Sequence, residues 1–70
     1  MFQMYEMVKL KRDLSAENLC AGMVGTVVMV FDEPDLPRAY EVEFLGEDVT
    51  TSALCTIQEK DLEKASSTDL

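Results

Sequence analysis

Residues 22–44 read GMVGTVVMVFDEPDLPRAYEVEF and carry the strongest strand signals of the chain. Its first part, 22–31, is rich in β-branched and apolar residues, and its last part, 39–44, alternates apolar and acidic residues. Between them, Pro34 and Pro37 exclude a regular strand or helix. The stretch therefore predicts two antiparallel strands joined by an acidic loop.

The period of two in a strand assigns each side chain of this pair to a face. In the second strand we expect Tyr40, Val42 and Phe44 to face the core, and Glu41 and Glu43 to face solvent. In the first strand the same period predicts one face with Val24, Thr26, Val28 and Val30, and another with Gly25, Val27, Met29 and Phe31. Gly22 and Gly25 fit a tight turn that leads into a bent strand.

Upstream of this pair, the chain predicts one more strand and a short turn. Tyr5–Leu10 is expected to be a strand in which Val8 and Leu10 face the core. Ser15 is expected to cap one helical turn that extends through Asn18.

Downstream, Val49–Ile57 predicts a fourth strand. Glu59–Ala65 predicts one or two helical turns, with Leu62 as their apolar anchor. We expect one domain over residues 1–65 and a disordered tail over residues 66–70.

Short strands separated by Gly and Pro turns are typical of small closed sheets. We therefore expect a mainly β fold: a small SH3-like antiparallel barrel of four to five strands with one or two short helical turns. A chain of 70 residues buries only about 60% of its unfolded surface, so its core is small. A partner protein or a second copy would enlarge that core, which favours an interaction protein.

The charge balance narrows the choice of partner. The chain has 14 acidic and 6 basic residues and no histidine, which gives a net charge of -8. Such a charge disfavours nucleic acids and anionic membranes, whose binding depends on Lys and Arg. It favours the basic surface of another protein. Because no signal peptide and no apolar run of membrane-spanning length is visible, we expect a cytoplasmic protein.

The sequence contains no pattern typical of catalysis. Without histidine, Ser-His and Cys-His nucleophile pairs are absent. Glu41 and Glu43 lie on one strand face about 7 Å apart, which a solvated face explains better than an acid–base pair. The acids of the loop lack the spacing of a calcium site, so we expect neither a metal nor a cofactor. Cys20 and Cys55 are expected to be reduced and buried rather than paired in a disulfide.

The remaining candidate is a contact surface made of the acidic loop and the outer face of the following strand. Its predicted protein-interaction residues are Asp32, Glu33, Asp35, Leu36, Glu41 and Glu43. The acids would attract a basic patch and orient it, while Leu36 would contribute apolar contact.

Several segments resemble one family of small bacterial proteins. They are Val8-Lys9-Leu10, the string LCAGMVGTVV at 19–28, the string YEVEF at 40–44, Thr56-Ile57 and Asp61-Leu62. Over about residues 4 to 63 the chain resembles domain of unknown function 4926. It is more faintly similar to the SH3-like β subunit of nitrile hydratases, which has a comparable valine strand and a Tyr-x-Val-x-Phe strand. Cys20 and Cys55 depart from the family's usual small or apolar residues.

The resemblance implies a bacterial protein with an SH3-like β fold and no catalytic residues to transfer. It also implies the small partner of a two-protein system, similar to an antitoxin or immunity protein. We therefore expect a non-catalytic protein-binding module that is antitoxin-like or an accessory of a larger protein. The alternative is an acidic mimic of nucleic acid that inhibits a nucleic-acid enzyme.

Overall fold

A computed structural model describes residues 1–45, 52–66 and 68. The elements are β1 (Met7–Leu10), a first 3₁₀ turn (Ser15–Glu17), β2 (Val24–Phe31), β3 (Ala39–Leu45), β4 (Ser52–Gln58), a second 3₁₀ turn (Glu59–Asp61) and β5 (Leu62–Lys64). The first residues of the predicted fourth strand, 49–51, and residues 67, 69 and 70 of the predicted tail lie outside the described residues.

The strands form one antiparallel sheet in the order β4-β3-β2-β1-β5. Strands β1 to β4 follow one another as neighbours, and β5 returns to pair with β1. The predicted mainly β fold of four to five antiparallel strands is confirmed. In the described part of the chain no ladder joins β4 to β5, so the sheet is open and a closed barrel is not observed.

The core lies on one face of the sheet and is centred on β3. Tyr40, Val42 and Phe44 are almost completely buried, as their alternation with Glu41 and Glu43 predicts. The other buried side chains of the core are Val8, Leu10, Leu19, Val27, Ile57 and Leu62. No helix among the described residues has the length and hydropathy needed to cross a membrane.

A β-bulge in β2 changes which side chains reach this core. Val27 pairs with Val42 and Met29 pairs with Glu41, so Val28 is the extra residue. Before the bulge the odd-numbered residues of β2 face the core, and after it the even-numbered residue Val30 does. The expected face of Gly25, Val27, Met29 and Phe31 is therefore wrong: Gly25 and Val27 are buried, while Met29 and Phe31 are exposed and Val30 packs on the core.

The two glycines before the bulge serve different purposes. Gly22 has φ +91°, in the left-handed region that favours glycine, and ends the turn before β2. Gly25 is buried where β2 crosses β3. A Cβ there would lie 2.7 Å from Val42 Cγ1 and 2.8 Å from Phe44 Cδ1. Gly25 is thus required by the close approach of the two strands.

Three local expectations need correction. The first strand begins at Met7 rather than Tyr5, because Tyr5 lies in a turn with φ 67°. Ser15 is the first residue of its 3₁₀ turn and does not cap it, since the N-cap is Leu14 and no side chain caps the turn. The predicted helical turns at Glu59–Ala65 reduce to the second 3₁₀ turn, which is followed by β5.

Strand β5 replaces the predicted helix because of a contact distant in sequence. Leu62 is buried and lies opposite Leu10 of β1. It is therefore an apolar anchor as predicted, but of a strand rather than of a helical turn. A single apolar residue gives a helix no apolar stripe, whereas the free edge of β1 offers backbone partners to a strand.

Candidate functional site

The acidic loop connects β2 to β3 at one end of the sheet. Asp32, Glu33, Asp35 and Leu36 are all exposed, and the Leu36 side chain is 66% accessible. The backbone N–H of Leu36 donates to the carbonyl oxygen of Glu33 at 3.2 Å, which makes a tight turn. The turn leaves the apolar Leu36 side chain exposed in a loop that also carries three carboxylates.

The base of the loop is held by Arg38. Arg38 Nη2 donates to Asp32 Oδ1 at 3.2 Å, and Arg38 Nη1 lies 3.9 Å from Glu59 Oε1. The hydrogen bond to Asp32 raises the pKa of Arg38 further above its usual value. Of the predicted interaction residues, Asp32 is therefore partly neutralised, while Glu33 and Asp35 form no such ion pair with the described residues.

Below the loop, Tyr40 joins three segments of the chain. Its hydroxyl donates to Glu59 Oε1 at 2.6 Å and accepts the backbone N–H of Phe2 at 3.0 Å. The Phe2 ring packs edge-on against the Tyr40 ring, with centroids 5.3 Å apart. A buried tyrosine hydroxyl needs such partners, and here they tie the N-terminal segment and the second 3₁₀ turn to β3.

This network shifts the pKa values of Tyr40 and Glu59 in opposite directions. Burial, reinforced by the hydrogen bond to Glu59, raises the pKa of Tyr40. The hydrogen bond from Tyr40, together with the amino group of Met1 and Arg38, lowers the pKa of Glu59. The charges therefore favour an ionised Glu59 and a neutral Tyr40 at neutral pH.

The other two predicted residues lie on the outer face of β3. Glu41 is half-buried between its register neighbours Met29 of β2 and Thr56 of β4. Glu43 is exposed and lies opposite Thr26 and Leu54. Strand geometry separates the two Cα atoms by about 7 Å.

Exposed apolar side chains lie on the same outer face as these two carboxylates, on the neighbouring strands. Met29 is 47%, Phe31 39% and Leu54 56% accessible. The bulge at Val28 places Met29 and Phe31 on the outer face, and no sequence signal marks that extra residue. Leu54 lies opposite Glu43 in the register of β3 and β4, on the same outer face.

We call Met29, Phe31, Glu41, Glu43 and Leu54 the outer patch. It continues into the acidic loop, because Phe31 is the last residue of β2 before that loop. The structure thus brings all predicted interaction residues onto one hairpin and adds an apolar component to them. Apolar anchors beside charged groups are the composition expected of a protein interface.

The described residues contain no group of three or more Asp, Glu or Cys that could hold a metal ion. Both cysteines are free. Their expected burial is wrong for Cys20, which is exposed, whereas Cys55 is half-buried. Burial, followed by the charge of Glu17, raises the pKa of the Cys55 thiol.

Comparison with known proteins assigns the chain to a family but gives no function. No curated protein and no solved structure matches the chain. A family model matches residues 4–64, a range that contains all five strands and the whole acidic loop. The chain is therefore a member of the family described as domain of unknown function DUF4926.

Proposed function

We propose that this protein is a small, acidic, non-catalytic binding module whose outer patch and acidic loop dock on the basic surface of a larger protein. The observation that carries the proposal is the arrangement of Met29, Phe31 and Leu54 around Glu41 and Glu43. Exposed apolar side chains supply affinity on desolvation, and the carboxylates select and orient a cationic partner.

The order of the strands supports a related fold proposal. Strands β1 to β4 form a meander, and the following strand β5 returns to pair with β1. This order is compatible with an SH3-like sheet. We assign the protein to that fold type, as an open form, and to the bacterial cytoplasm. In this context the partner would be a toxin-like protein or an enzyme subunit, and the module its antitoxin-like, immunity-like or accessory component.

Mimicry of nucleic acid is less well supported by this surface. A mimic needs a continuous line of negative charge along a partner's basic groove. In the outer patch, Met29 of β2 lies opposite Glu41 and Leu54 of β4 lies opposite Glu43, so the line of charge on β3 does not extend onto the neighbouring strands. A nuclease or polymerase as the co-purified partner would favour the mimic over the proposed module.

The test is co-purification of the native partner with the double variant Glu41→Gln/Glu43→Gln. We expect the variant to fold like the wild type, since both side chains lie on the outer face. We expect weaker partner binding and a smaller dependence of that binding on salt, because two charges facing the partner are lost. Glu43→Gln is measured beside the double variant, and Glu63→Gln is its matched control, because Glu63 is an exposed glutamate of the distant strand β5. Retention of the partner with unchanged salt dependence would show that this surface is wrong.

A further inference from the structure

The two edges of the sheet are protected to very different degrees. Strand β5 has three residues, Leu62–Lys64, and carries the charges of Glu63 and Lys64. Strand β4 has seven residues, Ser52–Gln58, that read SALCTIQ. It contains no charge, proline or glycine, the features by which edge strands usually avoid pairing with other chains.

Hydrogen bonding at the end of β4 identifies the backbone groups of its free edge. The N–H of Glu59 donates to the carbonyl oxygen of Arg38 at 3.0 Å, one step beyond the register pair of Ala39 and Gln58. Because hydrogen-bonded and non-hydrogen-bonded pairs alternate in an antiparallel ladder, every second residue of β4 points its N–H and C=O away from β3. These outward residues are Leu54, Thr56 and Gln58. Within residues 1–45, 52–66 and 68, no strand pairs with this edge.

A cleft of about 410 Å³ runs beside this edge, between β4 and the first 3₁₀ turn. Its lining includes the carboxylates of Asp13, Glu17 and Asp61, and Thr56, Ile57 and Gln58 of β4. In β4 the side chain of Ile57 faces the core, whereas those of Thr56 and Gln58 face outward. A cavity that touches all three consecutive residues must therefore follow the edge of the strand.

The rim of this edge cleft is acidic, and its carboxylates differ in how they are held. Asp13 Oδ1 accepts the backbone N–H of Ala21 at 2.8 Å. Asp61 Oδ1 lies 2.9 Å from Arg12 Nε as an ion pair without hydrogen-bond alignment. The exposed Glu17 side chain makes no hydrogen bond or ion pair with the part of the chain that the structure describes. Glu17 lines the same cleft as Thr56, Ile57 and Gln58, which places it beside β4.

We propose that an extended, basic segment of a partner protein binds in the edge cleft as an added antiparallel or parallel strand on β4, with a Lys or Arg side chain beside Glu17. The free backbone groups supply the hydrogen bonds of strand addition, and the acidic rim selects a cationic sequence. This inference rests on the proposed function in requiring a basic partner, and it adds that partner's conformation and a second contact region.

Charge distinguishes this occupant from a second copy of the chain. Pairing of two β4 strands would bring together two molecules that each carry a net charge of -8. Since β4 contains no cation, nothing on its edge would compensate the acidic rim of the other copy. A basic strand removes this repulsion and replaces it with attraction.

The test uses a synthetic peptide as long as β4 in which lysine and valine alternate. On addition of this peptide, we expect amide hydrogen exchange at Leu54, Thr56 and Gln58 to slow by about tenfold or more, because these N–H groups become hydrogen-bonded. The control peptide has glutamate in place of lysine and should give no protection. Protection by both peptides, or peptide binding without protection of these amides, would overturn the proposal.

Two variants test the acidic rim and the strand edge separately. Glu17→Lys should weaken binding of the lysine–valine peptide by about fivefold or more, whereas Glu63→Lys, the same charge change on the opposite edge, should alter it by less than about twofold. Thr56→Pro removes one outward N–H at an edge position where proline is tolerated, and should also weaken binding. Circular dichroism shows whether each variant is folded. Equal effects of Glu17→Lys and Glu63→Lys, or a dimer by sedimentation in place of peptide binding, would contradict a basic strand beside Glu17.

The outcome for this site can be separated from the outcome for the outer patch. Glu41→Gln/Glu43→Gln should leave peptide protection of the β4 amides in place, because those side chains lie on the outer face of β3. If the peptide fails while the native partner still depends on Glu41 and Glu43, the edge site is wrong and the proposed function stands. If the peptide binds while the native partner ignores both glutamates, the outer patch is wrong and β4 alone carries the contact.

Discussion

At the scale of single residues, Tyr40 shows how one polar atom can join distant segments. Tyr40→Phe should lower the free energy of unfolding by about 1–3 kcal/mol, because Glu59 and the N–H of Phe2 lose a buried partner. Urea denaturation measures this loss. The matched control is Tyr5→Phe, since Tyr5 is 72% exposed and its hydroxyl should contribute almost nothing. Equal stability of the two variants would contradict the role given to the Tyr40 hydroxyl.

The lowered pKa of Glu59 predicts a dependence of stability on pH. A carboxyl whose folded pKa lies below its unfolded value stabilises the fold above the unfolded value, near 4.3, and loses this contribution as the pH falls through the folded value. The destabilisation by Glu59→Gln should therefore be constant from pH 7 to about pH 5 and shrink below it. Urea titrations of both proteins across this range measure it. A penalty independent of pH would show that the charge of Glu59 does not matter.

The buried position of Gly25 predicts a steric penalty. Gly25→Ala places a Cβ 2.8 Å from the carbonyl oxygen of Glu43. Because this oxygen belongs to the backbone of β3, it cannot move away as the end of a side chain could. The expected loss is about 1–3 kcal/mol of unfolding free energy. Gly22 provides a contrast, because a Cβ there meets no atom within 4 Å and the cost of Gly22→Ala comes from φ +91° alone. Asparagine tolerates that conformation, so Gly22→Asn should recover part of the loss while Gly25→Asn should not.

At the scale of elements, the bulge in β2 predicts which of the adjacent residues Met29 and Val30 contributes to stability. Val30→Ala should destabilise the protein by about 1–2 kcal/mol because Val30 packs on the core. Met29→Ala should cost less than about 0.5 kcal/mol, since Met29 is exposed. Thermal or urea unfolding of the pair measures the difference. The opposite ranking would restore the uninterrupted alternation expected from the sequence.

How far the sequence predicts each element depends on whether its signal is local. Alternation alone correctly assigned the faces of β3, including the outward position of Glu41 and Glu43. It failed after Val28, because a bulge leaves no mark in composition. It also failed for β5, whose formation depends on the pairing of Leu62 with Leu10, some fifty residues earlier in the chain. The carboxylates and Leu36 were therefore predictable from the sequence, whereas the exposure of Met29 and Phe31 was not.

At the scale of the whole molecule, the net charge opposes self-association, whereas the free edge of β4 favours it. A net charge of -8 should keep copies apart at neutral pH and low salt, although β4 offers an unprotected edge. Near the isoelectric point of about 4.2 this repulsion vanishes, and we expect self-association that increases with concentration. Analytical ultracentrifugation at pH 7 and at pH 4.2 measures it.

Leu54→Lys places a cation on the uncharged strand and should suppress that association, while Leu36→Lys, in the loop, should not. Association at pH 4.2 that both variants leave unchanged would show that β4 is not the edge involved.

The bulge at Val28 also has a consequence for the substitutions that β2 can accept. In a saturation mutagenesis library, positions 24 and 26 should admit hydrophilic replacements, while 25 and 27 reject them. After position 28 the tolerated phase should reverse, so that 29 and 31 accept such replacements and 30 does not. In this apolar strand the tolerant positions would then be even-numbered before Val28 and odd-numbered after it. The fitness data alone would reveal the extra residue.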